Sequence, residues 1–195
     1  MKIIFIFLST LVISTRCLSY GTIDLQIQNY IENNSIKQGL IYVYECYSDN
    51  VFFDTCNEES RHYLFYSNDE KHYVVTFQVC SPPQIFSLDS ISPLSYFFQN
   101  ETKIRHEKLK SPAYTTTIKL KNGNKVGEVH FTTRSHSCYH QFFLITDPDN
   151  SIINVDSYDI ETKRIEKHPN ESYYYNKGTR TYKLIKLTEG IIKDI

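Results

Sequence analysis

The stretch of the chain with the most chemistry per residue is His136-Ser137-Cys138-Tyr139-His140. On a strand, residues two apart share a face. His136, Cys138 and His140 would then line up, with His130 further along the same parity. Imidazole and thiolate are both zinc ligands. Two points weigh against a zinc site. Cys138 is needed to complete an even set of disulfide cysteines, and a disulfide sulfur cannot ligate as thiolate. Consecutive same-face residues also lie about 7 Å apart, which suits a shared surface better than bonds to one ion. The expectation is no metal site, with His136 and His140 kept as residual candidates beside a disulfide.

Other chemistry is equally sparse. A cysteine nucleophile needs a free thiol beside a base, and an even cysteine count argues against one. No G-x-S-x-G elbow and no H-E-x-x-H pair occurs. Asp147-Pro148-Asp149-Asn150 and Asp156-Ser157-Tyr158-Asp159 put carboxylates where loop oxygens could hold Ca²⁺. They read more simply as Asp- and Asn-rich turns. Tyr173-Tyr174-Tyr175 fits a strand, two rings in and one out, better than an interface patch. The chain is expected to be no enzyme and to need no cofactor.

The elements that would carry these residues begin after a leader. Lys2 is a basic n-region, Ile3 to Ile13 an apolar core, and Cys17 and Ser19 fit a small-x-small cleavage site before Tyr20. The apolar core is shorter than the roughly 20 residues of a membrane span, and no later stretch replaces it. Residues 1–19 therefore read as a signal peptide, and the mature chain as secreted, extracellular and without a transmembrane anchor. Cleavage removes Cys17 and leaves Cys46, Cys56, Cys80 and Cys138. Four cysteines in an oxidising compartment imply two disulfides, in any of three pairings. Losing Lys2 and Arg16 leaves 19 basic against 22 acidic residues, which is not the balance of a nucleic-acid binder. Asn33, Asn100 and Asn170 each open an N-x-S/T sequon, so each is a candidate surface glycan site.

Residues 20–195 read as one domain rich in Tyr, Phe, Ile, Val and Thr and lacking Trp. Thr22 to Tyr30 alternates Ile23, Leu25 and Ile27 with polar residues, the pattern of a half-buried strand. Gly39 to Tyr47 is apolar on both faces and reads as a central strand. Val51 to Thr55, Tyr63 to Tyr66, His72 to Cys80, Tyr139 to Thr146, Ser151 to Val155 and Arg180 to Leu187 read as further strands. Ala113 to Lys121 and Lys125 to Thr133 flank Asn122-Gly123, the strongest hairpin signal here. Residues 89–112 read as irregular, and the part from about 157 is less clearly patterned apart from the strand at Arg180 to Leu187. The expected fold is all-β: an antiparallel two-sheet sandwich stapled by two disulfides.

Gly21-Thr22-Ile23-Asp24-Leu25-Gln26-Ile27-Gln28-Asn29-Tyr30, the Asn-rich loop after it, and Cys46, Phe52-Phe53 and Cys56 resemble the Notch-ligand N-terminal domain of Delta and Jagged proteins. Ser111 to Ile118 is similar to that family's later Pro-containing strand entry. The resemblance implies a C2-like sandwich with Cys46 bonded to Cys56, touching a receptor, and in some cases a lipid or glycan surface, through loops at one end. The chain lacks the family's Trp, its adjacent cysteine pair and its cysteine-rich receptor-binding module, so a relative would be a diverged one. Gly39 to Glu45 is also similar to a strand of nematode transthyretin-like secreted proteins. The expected function is an extracellular protein-binding module acting in cell-cell signalling. The alternatives are a transthyretin-like or host-ligand-capturing protein of a parasite or virus, and a secreted enzyme with an unrecognised site.

Overall fold

The computed structural model describes residues 23–46, 61–78, 81–89, 91–132 and 138–195. The fold is mostly β, built on one large antiparallel sheet with two small ones beside it. The large sheet has the order β4-β3-β2-β1-β7-β8. Its strands are β1 (Gly39–Cys46), β2 (His62–Asn68), β3 (Lys71–Phe77), β4 (Gln84–Leu88), β7 (Cys138–Leu144) and β8 (Asp147–Asp156). β1 lies at the centre, as its two apolar faces require. Alternate residues of β1 enter different cores: Leu40 and Tyr42 on one face, Ile41 and Val43 on the other.

Among the described residues, the layers on both faces are helical. α1 (Ile23–Asn33) covers one face with Ile27, Tyr30 and Ile31. α2 (Pro93–His106) and the C-terminal helix Arg180–Lys193 cover the other and pack on each other. Two strand expectations and one irregular segment are thereby corrected. Residues 22–30 show alternation only up to Ile27. Ile27, Tyr30 and Ile31 then follow the i, i+3, i+4 spacing of a helix face, and Leu25 is 47% exposed. Residues 180–187 alternate only over Tyr182 to Leu184, and Leu184, Thr188 and Ile191 form a buried helical stripe. Inside the supposedly irregular 89–112, Ser92 caps α2 by accepting from Ser95 N–H at 3.1 Å, and Pro93 sits at the first helical position, where its missing N–H costs nothing.

The hairpin around Asn122-Gly123 is confirmed. β5 (Ala113–Lys119) pairs with β6 (Lys125–Phe131) in a two-stranded sheet of its own. Gly123 has φ +84°, which an L side chain rarely adopts. Leu120 N–H donates to Asn124 O at 2.8 Å and closes the turn. Two-residue strands β9 (Arg164–Ile165) and β10 (His168–Pro169) form the second small sheet. Between these elements lie α3 (Ser157–Glu161) and α4 (Glu171–Gly178), and the C-terminal helix is then α5. The Tyr173-Tyr174-Tyr175 run is helical in α4: Tyr173 is buried, and Tyr174 is 76% exposed.

Cys46 is bonded to Cys138, not to Cys56. The pair joins neighbouring strands directly, because Cys46 is opposite Cys138 in the β1–β7 register. It closes a separation of 92 residues, which restricts the unfolded chain by about 4 kcal/mol in the loop-entropy account. Cys56 and Cys80, the proposed cleavage site and the strand 51–55 lie outside the described residues.

Candidate functional site

Two regions carry features beyond packing. The first grows from the disulfide. Two residues along from Cys46–Cys138 in the same register, Tyr44 pairs with His140, and Tyr42 pairs with Phe142 beyond. His140 is 1% exposed, so the sequence-based picture of an exposed histidine is corrected: its strand lies beneath α5. Its Nδ1 is hydrogen-bonded to the Tyr42 hydroxyl at 2.8 Å, while Nε2 has no hydrogen-bond partner among the described residues. Burial pushes the imidazole down to about 4, outweighing the opposite pull of Glu189. Burial also raises the Tyr42 phenol above its ordinary range.

Nε2 faces carboxylates. Glu189 Oε1 on α5 is 3.8 Å away, and Glu161 at the end of α3 completes a trio whose ligand atoms all lie within 4.8 Å of one another. Lys186 Nζ donates to Glu189 Oε2 at 2.7 Å and stands 3.8 Å from Glu161 Oε1. Burial opposes the Lys186 ammonium, but the Glu189 hydrogen bond and the charges of Glu189 and Glu161 prevail and raise its pKa. The group borders an open cleft of about 380 Å³, walled by Tyr42, Tyr44, Tyr63 and Arg61. α5 is held in place at its start: Thr179 accepts from Tyr182 N–H, and Glu107 accepts from the N–H groups of Arg180 and Thr181 at 2.7 and 3.1 Å.

The second region is the β5–β6 hairpin. Its base is fixed to α4. Asn170 Oδ1 accepts from Ala113 N–H, Glu171 Oε1 accepts from Thr115 N–H, and Tyr114 stacks on both His130 and His168. Much of the hairpin is open to solvent: Ile118, Leu120 and Val126 toward the turn, and Val129 and Phe131 opposite Thr115 and Ala113 at the base, are 43 to 71% exposed. Lys119, Lys121 and Lys125 are exposed around its turn.

The sequence candidates separate accordingly. His136 lies outside the described residues. His130 stands on the hairpin, hydrogen-bonded to Thr116 at 2.7 Å, in a different sheet from His140. The Asp147 and Asp156 segments do not read as loop calcium sites. Asp147 to Asn150 begin β8, and Asp156 caps α3 by accepting from Tyr158 N–H at 2.8 Å. Of the sequon asparagines, Asn33 is exposed at the end of α1, and Asn100 donates to Tyr96 O within α2. Asn170 is 1% exposed and donates to Thr162 O at 2.7 Å, so its amide is occupied and a glycan there is incompatible with this fold. Glu161, Glu189 and Tyr42 escaped the sequence reading because three distant elements bring them to His140. The one usable signal is that Tyr42 and His140 share the disulfide's strands.

Among the described residues, no helix is long and apolar enough to cross a membrane. No family model, curated protein or solved structure gives a significant match to this chain.

Proposed function

We propose that the protein is a secreted binding module that docks an extracellular protein partner through the β5–β6 hairpin. The observation that carries this reading is the hairpin's apolar exposure. Five large apolar side chains are uncovered on a two-stranded sheet that no other described strand extends, with Val129 and Phe131 on the same face as Lys119 and Lys125, and Ile118 and Val126 on the other face. An isolated two-stranded ribbon is marginal in water, and uncovered apolar side chains beside polar ones are the usual form of a contact surface. The three lysines at the turn, with no acidic neighbour between Ile118 and Val126, favour a partner whose apolar patch has an acidic rim. Cys138 is paired, which leaves no thiol nucleophile there and weighs against the enzyme alternative. A diverged Notch-ligand domain is the second ancestry for such a module. Its C2-like sandwich would need a second large sheet, and the segment resembling its first strand is α1 here.

The test is saturable binding of the secreted, oxidised chain to cell surfaces. Val129→Asp with Phe131→Ser should abolish it at unchanged melting temperature. Equal binding by wild type and variant, or no saturable binding by wild type, would contradict the reading.

A further inference from the structure

The trio His140, Glu161 and Glu189 is separate from the hairpin, and docking makes no use of it. We propose that it is a zinc site, with His140 Nε2 and one carboxylate oxygen from each glutamate as the protein ligands and water completing a four-coordinate shell. Three ligand atoms from β7, α3 and α5 already lie within 4.8 Å of one another. Glu161 and Glu189 stand on helices, and small side-chain rotations bring all three to the 2.0–2.2 Å that zinc requires.

The independent pointer is the imidazole. His140 is 1% exposed, yet among the described residues Nε2 has no hydrogen-bond partner, and it faces the two carboxylates. A buried nitrogen left unsatisfied costs about 1–3 kcal/mol. A metal ion relieves that cost when Nδ1 carries the proton and donates to the Tyr42 hydroxyl, which fixes the tautomer and the ring as an outer hydrogen bond does for a ligating histidine. Lys186 supports the same conclusion from the other side. Its ammonium rests between Glu189 and Glu161, where a cation belongs. It is 35% exposed, so its flexible stem can swing into the open cleft and release both carboxylates. Lys186 is therefore the competitor that a metal must displace. One imidazole and two carboxylates are ligands that zinc accepts.

Isothermal titration of the oxidised mature chain, cleared of metal by EDTA and desalted, with zinc chloride tests this. One zinc per chain is expected. Glu161→Gln, a half-exposed position, should weaken binding about tenfold or more while leaving the metal-free melting temperature unchanged. Lys186→Met should tighten it by removing the competing ammonium. An ion-pair network with no metal role predicts that neither substitution alters zinc affinity. No binding, or binding that both variants leave unchanged and which therefore resides on other histidines, overturns the proposal.

Discussion

The His140 cluster and the β5–β6 hairpin are opposite kinds of surface. The cluster is polar, lies at the edge of an open cleft and is assembled from the six-stranded sheet, α3 and α5. The hairpin is apolar, exposed and local in sequence, with only its base tied down. What distinguishes them is where their order comes from. Side chains of the cluster are positioned by the sheet register, the disulfide and a doubly capped helix. The hairpin's shape comes from one turn and its own cross-strand pairs. Disturbing the frame should therefore damage the cluster first, and altering the hairpin surface should leave the frame intact.

The largest expected effect breaks the frame. Replacing Cys46 and Cys138 together by Ser should cost about 4 kcal/mol in denaturant unfolding. Hydrogen exchange should then rise in β1 and β7 while the hairpin pairs change little. Uniform loss of protection would erase the distinction between the two regions.

Next comes acid. With metal removed, His140 is neutral in the fold at about 4 and above, whereas an unfolded histidine takes its proton near 6.5. The unfolded state thus binds more protons between these values, so stability is full above about pH 6.5 and falls as pH drops to about 4. The size is about 3 kcal/mol. Asp159, raised to about 6 by burial and then by Asp156, pulls the opposite way below that pH. The two partly offset each other between about pH 6 and 4, so His140→Gln should remove the His140 contribution and leave stability rising as pH falls below about 6, as read by chemical denaturation at several pH values.

Asn170→Ala tests the hairpin's base. It leaves Ala113 N–H and Thr162 C=O without their partner, at about 2 kcal/mol. Glycan mapping by mass spectrometry should find Asn170 unmodified. The smallest effect is expected at the hairpin surface. Val129→Asp should change stability by less than about 0.5 kcal/mol in thermal unfolding, because its side chain is 53% exposed, yet abolish docking.

The hairpin was legible in the sequence because Asn122-Gly123 and its flanking strands specify it locally. β1 was legible as well, since residues 39–46 are apolar on both faces. The C-terminal helix was not. Arg180 to Leu187 alternates only over Tyr182 to Leu184, while Arg180, Lys183 and Lys186 recur every three residues, and the helical period is plain once Thr188 and Ile191 join Leu184. α1 hid in the same way behind Ile23, Leu25 and Ile27. Of the candidate site, the sequence offered His140 alone. Its partners Glu161 and Glu189 lie on helices whose placement depends on caps such as Glu107 on α5, a contact 73 residues away in sequence. The Cys46–Cys138 bond was one of several open pairings until the strand register placed the two opposite each other.

Docking through the hairpin is tested most directly by site-specific photo-cross-linking on cell surfaces, with the reactive group placed at Phe131 in one protein and at Tyr44 in another. The account predicts a discrete protein adduct from Phe131 that excess unlabelled chain suppresses, and none from Tyr44 in the cleft. Adducts from Tyr44 and not from Phe131 would contradict it.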